Sequence, residues 1–154
     1  MTDTLQTDVR AVYAAADAAV GAAGPRCDAS GRCCRFTEYG HTLFISAFEA
    51  ELLLDGAPLS TEGPFSRDGC PYQVNGLCTA REHRPLGCRI YFCDPSFQDR
   101  MAEITEESLA ALKLIADKHG TGWHYAPLHH FLNARPEPPP ADTMTPKRTP
   151  LPVV

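Results

Sequence analysis

Residues 27–34 read CDASGRCC and residues 69–93 read GCPYQVNGLCTAREHRPLGCRIYFC, and these two stretches hold all seven cysteines of the 154-residue chain. Thiolate is the soft ligand that selects zinc, copper(I) or iron–sulfur clusters. A thiolate metal site needs separated groups of cysteines that folding brings together. The sequence therefore predicts a metal site, and its candidate ligands are Cys27, Cys33, Cys34, Cys70, Cys78, Cys88 and Cys93.

The bulk composition favours a soluble, globular, cytoplasmic protein. A net charge of -5 gives no general attraction to nucleic acid or to an anionic membrane, so neither is an expected partner. No run reaches the roughly 18 apolar residues of a membrane-spanning helix. The acidic leader MTDTLQTD argues against a signal peptide. Because thiols stay reduced in the cytoplasm, dense cysteines favour metal binding or catalysis over disulfides, which an odd number of cysteines also disfavours.

Apolar periodicity predicts two helices before the second cysteine stretch. The first spans residues 4–23, and Gly21, Gly24 and Pro25 end it. A short strand or extended lead-in over residues 42–45 precedes the second helix. That helix begins with the capping-box pattern Ser46 to Glu49 and ends at Gly56. The residues expected on the buried faces are Leu5, Val9, Val12, Ala16, Val20, Phe48, Leu52 and Leu53.

A third helix is predicted over residues 106–119, with Thr105 as its N-cap and Gly120 as its end. Its apolar face would carry Leu109, Leu112 and Ile115. Residues 123–132 can add a short packed element.

These elements predict a mainly α fold with irregular loops. We expect a small cysteine-cluster domain over residues 1–134, in which helices pack around a metal-stapled, cysteine-rich centre whose core motif is 25–95. Residues 135–154 contain seven prolines in twenty residues and read as a disordered tail. Such a tail could dock a protein partner in extended form.

The spacing of the cysteines leaves the metal and its exact ligands open. Four thiolates, or three with a histidine, complete a zinc site, and four also hold an iron–sulfur cluster. Adjacent Cys33 and Cys34 reach one centre only if the backbone turns sharply, and otherwise one of them is structural. The histidines His83, His124, His129 and His130 are weaker ligand candidates. Arg81, Arg84 and Arg89 would offset thiolate charge or form salt bridges to Glu82 and Asp94.

The residues also resemble a known family. The run CDASGRCCR over 27–35, then Cys70-Pro71, Cys78 and RPLGCR over 84–89, is similar to the YkgJ-type cysteine-cluster family, which is described as a zinc- or iron-chelating domain. The resemblance covers roughly residues 25–95. It implies a metal- or cluster-binding role for six of the seven cysteines, with Ser30 standing where the family pattern has a further cysteine. A single site is therefore expected, and whether Cys93 replaces the ligand missing at Ser30 stays open.

The leading functional prediction is a metal-binding protein that acts in electron transfer, metal handling or structure, with zinc or an iron–sulfur cluster as its cofactor. One alternative is a cluster- or metal-dependent enzyme that modifies a protein or a small molecule, although the sequence assigns no catalytic residue. Another is an interaction protein whose metal only staples the fold.

Overall fold

The computed structural model describes residues 1–26, 42–59, 63–75 and 77–134. Within these ranges 61% of the residues are helical, which confirms the predicted mainly α class. The helices are α1 (Asp3–Ala23), α2 (Ala47–Gly56), α3 (Leu86–Ile90), α4 (Gln98–His119) and α5 (Leu128–Asn133), and the strands are β1 (Phe44–Ser46), β2 (Gln73–Val74), β3 (Leu77–Cys78) and β4 (Tyr125–Pro127). Short 3₁₀ turns occupy Arg81–His83 and Pro95–Phe97.

Helix α1 follows its predicted pattern with one exception. The Thr2 hydroxyl accepts a hydrogen bond from the Leu5 amide at its start, and Gly24 ends it in the left-handed conformation at φ 62°. Tyr13 is buried in this helix, whereas the predicted Val12 is only partly buried. The helix packs mainly against α4 and α3. It thereby forms a first core with residues of α2, α3 and α4.

Helix α4 begins at Gln98, eight residues before the predicted start at Glu106. The predicted N-cap was wrong, because the Thr105 hydroxyl donates to the Met101 carbonyl within the helix (2.7 Å). The N-cap position of α4 is Phe97, which makes no side-chain capping bond, and Asp94 instead caps the preceding 3₁₀ turn by accepting from the Ser96 amide (3.0 Å). The end at Gly120 is confirmed, with φ 63°.

A second core lies between the two antiparallel sheets and α2 and α5. Strand β1 pairs with β4, with Ile45 opposite Ala126, and β2 pairs with β3, with Gln73 opposite Cys78. Helix α2 occupies its predicted range. The buried residues of this second core are Leu43, Ile45, Ala50, Leu53, Tyr72, Ala80, Leu128 and Leu132. The residues flanking the β2–β3 hairpin, Tyr72 and Ala80, belong to this core, whereas α3 contributes Leu86 and Ile90 to the first core.

Three of the predicted ligands, Cys27, Cys33 and Cys34, and the predicted tail over 135–154 lie outside the described residues. None of the helices in the described ranges is long and apolar enough to cross a membrane.

Candidate metal centre

Three of the four described cysteines surround or border the second core. Cys70 begins a turn, and its carbonyl accepts from the Gln73 amide (3.1 Å). Cys78 lies on β3 and Cys88 on α3. All three are partly buried and pack against the second core. Cys93 follows α3 and is exposed, so the structure does not place it in this apolar packing.

The described cysteines do not complete a metal site among themselves. In the ranges that the structure describes, no three histidine, cysteine or acidic side chains come close enough together to hold a metal ion. Thiolates are the donor type that zinc and iron–sulfur clusters require, so the residues fit such a group in kind. They fall short in number. A four-coordinate site would need at least two further ligands.

The RPLGCR motif holds Cys88 in a firmly packed helix. Pro85 immediately precedes α3, and buried Leu86 is its first residue. The Arg84 side chain spans the helix, with Nε donating to the Arg81 carbonyl (3.1 Å) and Nη1 to the Cys88 carbonyl (3.5 Å). The motif therefore fixes the backbone on both sides of the thiol.

Arg89 is the last residue of that motif, and its guanidinium group makes several contacts within the protein. Its Nε donates to the Arg84 carbonyl (2.7 Å), and Nη2 donates to the Glu82 carbonyl (3.0 Å). Nη1 pairs with the Asp17 carboxylate at 2.8 Å, and the guanidinium lies 4.5 Å from the centre of the Tyr13 ring. The alternative of a salt bridge from Arg89 to the carboxylate of Glu82 or Asp94 was wrong, because the carboxylate partner comes from α1.

A buried carboxylate connects α1, α2 and α3 beside this helix. Glu49 is 1% exposed, and its Oε2 accepts from the Ser46 amide (2.8 Å) and hydroxyl (2.7 Å). Its Oε1 accepts from the Tyr13 hydroxyl (3.1 Å) and from the Leu86 amide (2.9 Å). The capping-box pattern predicted only the bond to the Ser46 amide. Tyr13 of α1 and Leu86 of α3 lie 36 and 37 positions from Glu49 in the chain, and no local sequence pattern predicts contacts over that distance.

Burial, with a further contribution from the Glu49 carboxylate, raises the pKa of Tyr13 well above its usual value of 10.0. The neutral phenol is therefore favoured in the folded state. Its contribution to the free energy of unfolding is fully present below pH 10 and is lost as pH rises through the folded-state pKa. We expect this free energy to fall more steeply above pH 10 in the wild type than in Tyr13→Phe. Urea unfolding between about pH 8 and 11 measures it, and identical slopes would contradict the assignment.

Gly87 lets α3 approach Leu43, the residue immediately before β1. A Cβ at this position would lie 2.7 Å from Cδ1 of Leu43, a residue that is 3% exposed. Gly87→Ala should therefore lower the free energy of unfolding by about 1–3 kcal/mol, as overpacking does. The matched control is Gly21→Ala in α1, where a Cβ meets nothing within 4 Å. That change should stabilise by about 0.5–1 kcal/mol. Denaturant unfolding compares the two, and equal effects would refute the close approach.

The described residues on either side of segment 27–41 contact chain neighbours of two cysteines of the second stretch. On one side, the Arg26 amide donates to the Asp94 carboxylate (3.0 Å), next to Cys93 in the chain. On the other side, Leu43 is buried, its carbonyl accepts from the Leu128 amide (2.9 Å), and its side chain meets Gly87. Gly87 directly precedes Cys88. Arg26 and Leu43 therefore each contact a residue that is adjacent in the chain to a cysteine, Cys93 and Cys88 respectively.

No family model matches the chain, and neither a curated protein nor a solved structure shows a significant similarity to it. The fold and the site define a mainly helical protein with three partly buried cysteines along one core. The resemblance to the cysteine-cluster family stays a prediction.

Proposed function

We propose that this chain is a metal-binding protein in which thiolates from both cysteine stretches hold a zinc ion or an iron–sulfur cluster. Such a centre would serve structure, electron transfer or metal handling. The proposal rests chiefly on one observation: Arg26 and Leu43, on either side of segment 27–41, contact Asp94 and Gly87, which are the chain neighbours of Cys93 and Cys88.

The anchoring restricts where the first-stretch cysteines can go. Cys27 follows Arg26 directly, and consecutive Cα atoms lie about 3.8 Å apart. The segment with Cys33 and Cys34 must also return to Leu43 and Gly87. Because Arg26 and Leu43 are fixed, bringing a thiol from between them to the thiol of Cys88 costs less loop-closure entropy than it would for a chain with free ends.

The number of ligands gives a second argument for a shared centre. Fewer than three potential ligands cluster in the described part of the chain. A four-coordinate thiolate site built on them would take at least two ligands from the remaining cysteines, Cys27, Cys33 and Cys34. The proposed ligand set therefore draws on both stretches and includes Cys70, Cys78 or Cys88 from the second. Cys93 is a candidate because it adjoins the Arg26 anchor.

The first test is elemental analysis with an absorption spectrum of the full chain purified without oxygen. The proposal predicts stoichiometric metal in one of two forms. A colourless protein with about one zinc per chain indicates a tetrahedral thiolate site. Iron and sulfide with a broad visible absorption indicate a cluster. Folded protein that contains far less than one zinc ion or one iron–sulfur cluster per chain would contradict the proposal.

A further inference from the structure

A pocket of about 440 Å³ is lined in part by the residues that follow Cys70 and Cys78 in the chain. Its size falls within the roughly 300–1,000 Å³ of small-molecule sites. The residues that line it include apolar Pro58, Leu59, Pro71 and Val74 and polar or charged Thr79, Arg81, Glu82 and His83.

The side chain of Arg81 differs from those of Arg84 and Arg89 in its hydrogen bonds and ion pairs. The guanidinium groups of Arg84 and Arg89 donate to backbone carbonyls, and Arg89 also pairs with Asp17. For Arg81, by contrast, only the backbone carbonyl takes part in a hydrogen bond among the described residues. Its exposed guanidinium is thus available at the pocket wall.

His83 also lines the pocket, and it lies close to Gly56, the last residue of α2. A Cβ on Gly56 would collide with the His83 imidazole, so a glycine here leaves room for the ring at the pocket wall. An imidazole can donate a hydrogen bond to an anion in either of its neutral tautomers. Arg81 and His83 therefore both supply hydrogen-bond donors to the lining of the pocket.

We propose that this pocket binds a small organic monocarboxylate. The planar guanidinium of Arg81 presents paired N–H groups that match the two oxygens of a carboxylate. The apolar body would lie against Pro58, Leu59 and Val74. Glu82 also lines the pocket. Its carboxylate and the net charge of -5 repel a dianion, so a ligand with a single negative charge is favoured over a phosphate. This inference goes beyond the proposed metal function and does not depend on it.

The test is a titration of the ¹⁵N-labelled full chain, as purified, with benzoate, followed by amide chemical shifts. The proposal predicts saturable shifts at Val74, Thr79 and His83, with a Kd of about 1 mM or tighter. The neutral analogue benzamide should bind at least about tenfold more weakly, since it lacks the charge that Arg81 pairs with. An absence of saturable shifts, equal binding of benzamide, or equally tight binding of inorganic phosphate would each overturn the assignment.

Two variants identify the residue that binds the carboxylate. Arg81→Gln should weaken benzoate binding at least about tenfold, whereas Arg81→Lys, which keeps the charge but loses the paired donors, should have an intermediate effect. The control is Arg10→Gln, an equal change of charge at an exposed position of α1 that does not line the pocket. Unchanged benzoate binding by folded Arg81→Gln would overturn the proposal. If that variant does not fold, wild-type affinity in Arg81→Lys would do so.

Discussion

Cys88→Ser is expected to cost the protein its metal and much of its stability together. A hydroxyl is a poor substitute for the soft thiolate that zinc and iron–sulfur clusters select. Because the binding free energy of a structural metal is also folding free energy, losing it removes several kcal/mol. We expect metal content to fall below about a tenth of the wild-type value and Tm to fall by roughly 10 °C or more. The joint variant Cys33→Ser with Cys34→Ser should behave in the same way.

The control must introduce a hydroxyl at a similar position without touching a thiol. Ala57→Ser does this, because Ala57 packs against the same second core as Cys88 and is also partly buried. It should keep its metal, and its Tm should change little. Full metal content in Cys88→Ser would remove Cys88 from the ligand set. Metal retained by the variant lacking both Cys33 and Cys34 would contradict a centre shared between the two stretches.

Glu49→Ala is expected to have the largest effect on stability of any substitution outside the cysteines. It would leave the Tyr13 hydroxyl, the Ser46 amide and the Leu86 amide without their acceptor in a buried environment. At about 1 kcal/mol or more for each lost bond, the free energy of unfolding should fall by roughly 3–5 kcal/mol. Urea denaturation at neutral pH measures this change.

The matched control for this carboxylate is Glu51→Ala on the same helix. The Glu51 side chain is 61% exposed, and its one ion-pair distance, to the N-terminal amine, is 3.9 Å. Its removal should change the free energy of unfolding by less than about 0.5 kcal/mol. A loss below about 1 kcal/mol in Glu49→Ala would show that the buried carboxylate does not join the three helices as described.

Local signals in the sequence predicted α1 and α2 well. Both have apolar residues at helical spacing, and both have a terminal residue whose side chain or conformation stops or starts the helix, such as Gly24 and Glu49. The start of α4 was missed because Thr105 followed by acidic residues resembles a cap. Asp94 before Pro95 was the stronger signal, with a side-chain acceptor followed by a residue suited to the first turn.

The contacts that orient α3 could not be predicted in the same way. The Arg89–Asp17 pair joins residues 72 positions apart. The sequence indicated that RPLGCR matters without showing why each residue is needed. The structure supplies the reasons for Gly87, which allows Leu43 to approach, and for Leu86, whose amide meets a buried carboxylate. The pocket at Arg81 depends on a similar long-range approach of α2 to the 3₁₀ turn, and no sequence motif marked it.

Mapping of cysteine alkylation in the native protein, with and without chelator, tests the shared centre most directly. Peptide mass spectrometry reports each thiol separately. We expect the metal-loaded protein to protect at least two of Cys27, Cys33 and Cys34 together with at least one of Cys70, Cys78 and Cys88. Removing the metal should expose both groups to the reagent. The same modification pattern in both samples, or protection confined to one stretch, would contradict a metal centre built from both.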